Sequence, residues 1–182
     1  VALEPAGVAP HIALPDAKVG DVADALLLGA FQTPVDQRRE AAVLVIPEKL
    51  APELFRVLSE RTANLRLGDP RQYDTQVGPY ASGKRAAEAV AALRTPMEGV
   101  QVLVGGAPQD ATETAWIAPS LVACSNVDQA LQFARPGPVV PIVVYRDPAD
   151  VPLIVHGLGA RTFATIHGDE LDDARRLAQQ LP

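Results

Sequence analysis

A single cysteine, Cys124, stands in the 182 residues, so no internal disulfide framework and no clustered thiolate metal site can form. Aromatic side chains make up only 4%, which leaves few platforms on which bases could stack. Basic residues are the minority charge: 16 Lys and Arg against 22 Asp and Glu give a formal charge of −6. That balance argues against electrostatic binding to nucleic acid or to an anionic membrane surface. No apolar run approaches the ~20 residues of a membrane span, and the first residues carry no basic-then-apolar targeting pattern. The expectation is a cytoplasmic protein with no nucleic-acid and no membrane partner.

Proline, by contrast, is plentiful, with 17 residues against a usual share of roughly 5%. The prolines do not cluster as in a disordered tract. Pro47, Pro52, Pro70, Pro79, Pro108, Pro119 and Pro148 punctuate apolar runs, where a strand or helix would start or stop. An ordered chain with many short connections follows.

Periodicity supplies the element order. Residues 11–14 are a short apolar run closed by Pro15 and Asp16, suited to a strand. Val22, Ala25, Leu26, Gly29 and Ala30 recur at helical spacing over residues 21–31, with Asp21 as N-cap. Residues 41–46 are unbroken and β-branched, the pattern of a strand buried on both faces. Leu50, Leu54, Val57, Leu58 and Leu65 make a helical stripe over residues 49–67. An alanine-rich helix is expected over residues 82–93, and strands over 100–104 and 117–124. A short helix capped by Asn126 or Asp128 runs through Phe133. Residues 139–145 are strand-like, with Pro141 pushing that strand toward a sheet edge. A strand at 162–166 and an amphipathic helix at 169–181 complete the chain. Strands alternating with helices predict an α/β fold, three-layered and doubly wound around a mainly parallel sheet. With no repeat or linker in view, residues 1–182 are read as one domain.

Local motifs do not assemble a catalytic centre. Gly78 to Lys84 has the glycine and lysine spacing of a phosphate-binding loop. Arg85, however, stands where a magnesium-binding hydroxyl belongs, and the preceding residues 73–77 are too polar for a buried strand. Gly105-Gly106 and Gly157-Leu158-Gly159 lack the downstream glycine of a dinucleotide fingerprint. His11, His156 and His167 have no carboxylate or histidine at metal-ligand spacing, so no metal site is expected. Cys124 ends an apolar run and reads as a small core residue. The acids Asp169, Glu170, Asp172 and Asp173 suit the N-terminal end of a helix.

At longer range, small motifs stand in a fixed order: Glu4 to Ile12, Asp16-Ala17, Gly68-Asp69-Pro70, Gly78-Pro79, Leu103 to Gly106, Trp116 to Leu121, Gly137-Pro138-Val139 and His156-Gly157-Leu158. Over about residues 3–181 this order resembles the catalytic-domain portion of aldehyde dehydrogenases. Residues 3–12 are similar to that family's Glu-Leu-Gly-Gly-Lys-x-Pro-x-Ile segment, followed by Asp16-Ala17 at its Asp-Ala pair. Gly68-Asp69-Pro70, then Thr75-Gln76-Val77-Gly78-Pro79, resembles its Gly-Asp-Pro…Thr-x-x-Gly-Pro signature. Leu103 to Gly106, Trp116 to Leu121, Gly137-Pro138-Val139 and His156-Gly157-Leu158 stand at further family motifs in the same order.

What the resemblance implies about chemistry is largely loss. The family's nucleophile is a cysteine whose thiolate attacks an aldehyde, so that hydride can leave to a nicotinamide. The matching position here is Arg38 without a gap, or Arg39 with a one-residue shift. A guanidinium is permanently protonated and cannot serve as a nucleophile. Ala134 stands where the family has the glutamate that binds the nicotinamide ribose. The family's N-terminal coenzyme-binding domain has no counterpart in the chain, so no cofactor is expected for it alone, although the family uses NAD or NADP. Glu4 matches the family's general base, but without a thioester to hydrolyse it is vestigial.

Three functional readings follow. The first is a non-catalytic, structural module that associates with itself or with a protein partner. A second is an excised domain of a larger NAD(P)-dependent oxidoreductase. The third is a relict cleft in which Arg38 or Arg39 binds a small anion.

Overall fold

A run that is apolar at every position must be covered on both sides, and the residues after Glu40 are covered in that way. The computed structural model describes residues 7–32, 40–79, 83–106, 116–134, 138–160 and 163–181. Its elements are β1 (Gly7–Ala13), α1 (Val19–Leu27), β2 (Glu40–Pro47), α2 (Ala51–Ala63), α3 (Gly83–Arg94), β3 (Val100–Val104), β4 (Ser120–Cys124), α4 (Val127–Phe133), β5 (Val139–Tyr145), α5 (Val151–Gly157), β6 (Thr165–His167) and α6 (Leu171–Ala178). The strands form one sheet in the order β3-β4-β5-β2-β1-β6. The pairings of β4 with β5, β5 with β2, β2 with β1 and β1 with β6 are parallel, and that of β3 with β4 is antiparallel.

Side chains alternate across the sheet and so divide between two cores. Leu44 and Ile46 join Ala13, Ile142 and Leu121 beneath α1 and α2, which contribute Val22, Leu26, Leu54 and Leu58. Val43 and Val45 join Val8, Ile12 and Val143 on the other face. There Ala130 and Phe133 of α4, Val151 and Val155 of α5, and Leu177 of α6 cover them. The expected three-layer, doubly wound α/β fold is what forms. Val43, Leu44, Val45 and Ile46 are wholly buried, and each such side chain stabilises the fold by about 1.5–3 kcal/mol relative to exposure.

Several local expectations are corrected. Helix α1 begins at Val19 with Lys18 in the cap position, so Asp21 lies in the first turn and does not cap it. A single π-helical segment, Leu28–Gln32, extends α1. Helix α2 stops at Ala63, short of Leu65. Residues beyond it form a loop braced by Gly68 N–H to Val77 O (3.0 Å) and by Thr75 Oγ1–H to Asp69 O (2.7 Å). Strand β4 starts at Ser120, directly after Pro119. Strand β5 is central, contrary to the edge position inferred from Pro141. Its pairing with β2 is registered only from Ile142 onward, so the missing N–H of Pro141 falls where that ladder has not begun. Helix α5 has no counterpart in the sequence reading, and β6 occupies 165–167 in place of 162–166.

Two long-range side-chain anchors, Tyr145 and Asp16, lock the wound chain. The Tyr145 hydroxyl donates to the Ala13 carbonyl (2.8 Å), tying the end of β5 to β1 across the intervening β2. Asp16 Oδ2 accepts from the backbone N–H of Glu170 (2.7 Å) and Asp169 (2.9 Å), and so caps α6 from the far side of the sequence. Those bonds, Glu170 first, hold the Asp16 carboxyl below the usual carboxylate range.

The Leu-x-Gly-Gly motif owes its glycine to a close approach. Gly105 has φ +77°, and a Cβ there would press into the Pro119 carbonyl oxygen and lie 2.9 Å from Ser120 Cα. Gly159 has φ +68° but open space around it. Gly159→Ala is therefore expected to cost about 1 kcal/mol from backbone strain alone. Gly105→Ala, which adds overlap with backbone, is expected to cost more than ~3 kcal/mol. Urea unfolding of both variants checks this; equal losses would contradict the close approach at Gly105.

Candidate functional site

The parallel strands β5, β2 and β1 are neighbours, and their first residues are level with one another. Gly7 pairs with Glu40, and the register that sets Leu44 opposite Ile142 brings Pro138 level with Glu40. Gly7, Glu40 and Pro138 thus lie at one end of the sheet. The positions singled out by the resemblance all precede these residues in the chain. Glu4, Arg38 and Arg39 themselves lie outside the described residues. Ala134 is described: it follows α4, donates its N–H to the Ala130 carbonyl (2.9 Å), and packs its methyl group partly against the core. No carboxylate stands at that position to accept a ribose hydroxyl.

Cys124 lies at the other end of the sheet. It pairs with Val143, which in turn pairs with Val45, five residues along β2 from Glu40. At ~3.3 Å per residue this is about 17 Å from the start of β2. The side chain is 5% exposed. Burial pushes its thiol up to about 12, with a backbone hydrogen bond from Ile142 only partly opposing the rise. Cys124 is therefore protonated and enclosed, the condition of a core residue.

At this carboxyl end the chain leaves β2 for α2 on one face and leaves β5 for α5 on the other. Such a divergence opens a crevice in doubly wound sheets. Here it is a cleft of about 840 Å³ lined by Glu48, Phe55, Ser125, Arg146, Asp150 and Ile154 among others. Arg146 Nε donates to Glu48 Oε1 (3.0 Å). Tyr145 also borders the cleft, but burial raises its hydroxyl to about 12 and its proton is committed to Ala13. The described lining thus has room for a ligand, while its thiol and phenol are held in unreactive forms.

The remaining sequence candidates resolve as follows. No strand leads into Gly78, α3 begins at Gly83, and Lys84 points to solvent, so the phosphate-loop reading has no structural support; residues 80–82 lie outside the described residues. Gly106 closes a turn by donating its N–H to Ser120 Oγ (2.9 Å). Asn126, not Asp128, caps α4 by accepting from Gln129 N–H (2.9 Å). Asp172 and Asp173 do occupy the first turn of α6. His156 ends α5. His11 and His167, isolated in sequence, are brought into contact, their nitrogens 3.3 Å apart. No spacing could reveal that pair, because 156 residues separate its members. Among the described residues no group of three or more His, Cys, Asp or Glu could hold a metal ion.

Comparison with known proteins gives a consistent result. The model of the aldehyde dehydrogenase family matches residues 1–182. A betaine aldehyde dehydrogenase of Vibrio vulnificus is 25% identical over 186 residues, covering 100% of this chain and 38% of its own length. Among solved structures, a betaine aldehyde dehydrogenase of Staphylococcus aureus superposes with a TM-score of 0.85 at 19% identity, covering 96% of this chain and 37% of that one. An NAD-dependent benzaldehyde dehydrogenase of Corynebacterium glutamicum superposes at 0.81 with 23% identity, covering 99% and 38%. The chain thus spans less than two fifths of the length of these relatives.

The state of Cys124 makes a direct prediction. In the native chain at mildly alkaline pH, a thiol-directed disulfide reagent is expected to leave Cys124 unmodified, and to titrate one thiol after unfolding in urea. Fast modification of the native protein would contradict its burial.

Proposed function

The chain belongs to the aldehyde dehydrogenase family, and we propose that it carries the catalytic-domain scaffold of that family without its chemistry. In this reading it is a non-catalytic module whose role is assembly with a partner or with itself. The observation that carries the reading is the place of the only thiol. Aldehyde oxidation in the family needs a cysteine in the stretch that precedes β2, and this chain has arginine there. Its one cysteine lies at the opposite end of the sheet, protonated and enclosed. No local rearrangement of a side chain can bridge about 17 Å of strand.

Coenzyme recognition is weakened in the same direction. The family binds NAD or NADP, and a carboxylate would be the acceptor suited to a ribose hydroxyl. Ala134 supplies only a methyl group at that position. The described residues do not fit this contact.

The open edges of the sheet support a role in assembly. Strand β3 bounds one side and β6 the other, and among the described residues nothing pairs with their outer edges. Val102 on β3, Phe163 just before β6 and Leu171 at the start of α6 expose apolar side chains near these edges. Unpaired edges with apolar neighbours are commonly covered by another chain or segment.

A second reading is favoured by the span of the match. A chain covering 38% of a relative's length is also what a portion of a larger NAD(P)-dependent enzyme would be. The size of the polypeptide in its source separates the two. Within either reading this portion does not supply the nucleophile.

The test is aldehyde-dependent reduction of NAD or NADP by the purified chain over a panel of aliphatic and aromatic aldehydes. The expected outcome is no turnover above the protein-free blank, unchanged by Glu4→Gln. Turnover that Glu4→Gln abolishes would overturn the proposal, because Glu4 matches the family's base.

A further inference from the structure

Strand β6 has three residues and, among the described residues, pairs only with β1, through His11–Thr165, Ile12–Ile166 and Ala13–His167. So short an edge strand holds few ladder bonds, and Leu14 N–H to His167 O (2.8 Å) extends the ladder by one. A side-chain contact reinforces it. His11 and His167 both point to the face covered by α1, and His11 Nδ1 lies 3.3 Å from His167 Nε2. The ring planes differ by 13° and the centroids are 5.6 Å apart. That separation exceeds the N···N distance by about two ring radii, so the rings lie edge to edge in nearly one plane. The arrangement is an in-line N–H···N hydrogen bond. It is not a face-on stack, and it is not a chelating pair, whose lone pairs would converge on a metal at the tetrahedral angle.

We propose that the His11–His167 pair is a proton-operated clasp on the β6 edge, closed while the pair carries no proton or one beyond neutrality and forced open by the second. The inference is independent of the reading of the chain as non-catalytic. With both rings neutral, one nitrogen donates and the other accepts. One added proton goes to His167, the ring whose charged form the Asp21 carboxylate favours, and its Nε2–H then donates to His11 Nδ1. A second proton leaves no acceptor, and two like charges face each other across the former hydrogen bond.

The surroundings favour the neutral pair. His11 backs onto Gly29 of the π-helical segment, where a Cβ would lie 3.7 Å from Nε2, and pairs across β1–β2 with the apolar Leu44. Charged groups nearby are few. Asp21 comes from α1, Asp16 is occupied with α6, and Asp169 is paired with Lys18 at 2.9 Å. Burial, then the neighbouring His167, lower His11 from 6.5 to about 4. Burial also lowers His167, with Asp21 opposing. A histidine whose folded-state value lies below its unfolded value binds fewer protons when folded. Its contribution to stability is therefore complete above about pH 6.5 and is lost as pH falls toward 4. The loss falls first on β6, and releasing β6 bares the outer edge of β1 and frees the α6 cap at Asp16.

Amide exchange read by NMR tests this on the 182-residue chain. Protection factors, corrected for intrinsic rates, are compared near pH 7 and near pH 4 for Leu14 and the β6 amides, with Val45 and Val143 as internal references. The expected result is a loss of protection at Leu14 and β6 at least about tenfold greater than at the references. His167→Gln, which keeps a hydrogen-bonding side chain but takes up no proton, is expected to abolish that excess. Equal losses at all sites, or an excess that persists in His167→Gln, would overturn the clasp. A readout that needs no variant is the nitrogen spectrum of the two rings. Coupled titration below pH 6.5, with a scalar coupling across N–H···N at neutral pH, supports the clasp. Independent titration of both rings near their ordinary value contradicts it.

Discussion

The fold depends on burying β2 on both faces at once. Val43 and Val45 face one core while Leu44 and Ile46 face the other, so helices must lie on each side of the strand. Parallel neighbours then follow, because a strand covered on both faces leaves crossover helices as the natural connections. β1 and β5 flank β2, and the chain departs from β2 and β5 to opposite faces. The same constraint separates the two ends of the sheet. One end holds Gly7, Glu40 and Pro138; the other holds the cleft and Cys124. The distance between the thiol and the start of β2 is thus a consequence of topology.

Much of this architecture is legible in the residues. Apolar, β-branched runs mark β2, β3 and β5, and a helical stripe marks α2. Where the reading failed, a competing physical effect is identifiable. Helix α5 was hidden by Pro148 and Pro152, which look like breakers but sit in the opening turns of helical segments, where the missing N–H has no partner to lose. Pro141 suggested an edge strand, yet β5 is central because its ladder with β2 starts one residue later. Leu65 continued the stripe of α2, but the loop that follows takes its backbone bonds from Val77 and Gln76 instead.

The candidate site divides along the same line. Arg38, Arg39 and Ala134 are singled out by the sequence alone through the family resemblance, because a chemical role demands a particular side chain. Whether Cys124 lies near those positions is not visible there, since the answer depends on strand order and register. Asp16 and the histidine pair are further from legibility still. Asp16 caps a helix more than 150 positions away, and His11 meets His167 only because β6 returns to pair beside β1.

The proposal of a scaffold kept without its chemistry makes one demand that a single titration addresses. Calorimetric titration with NAD and with NADP at millimolar nucleotide should be performed on the 182-residue chain, and on the source polypeptide if that is larger. The account predicts no saturable heat for this chain, consistent with the methyl group of Ala134 in place of an acceptor. Saturable binding abolished by a substitution within these residues would contradict it and return the chain to the enzymes.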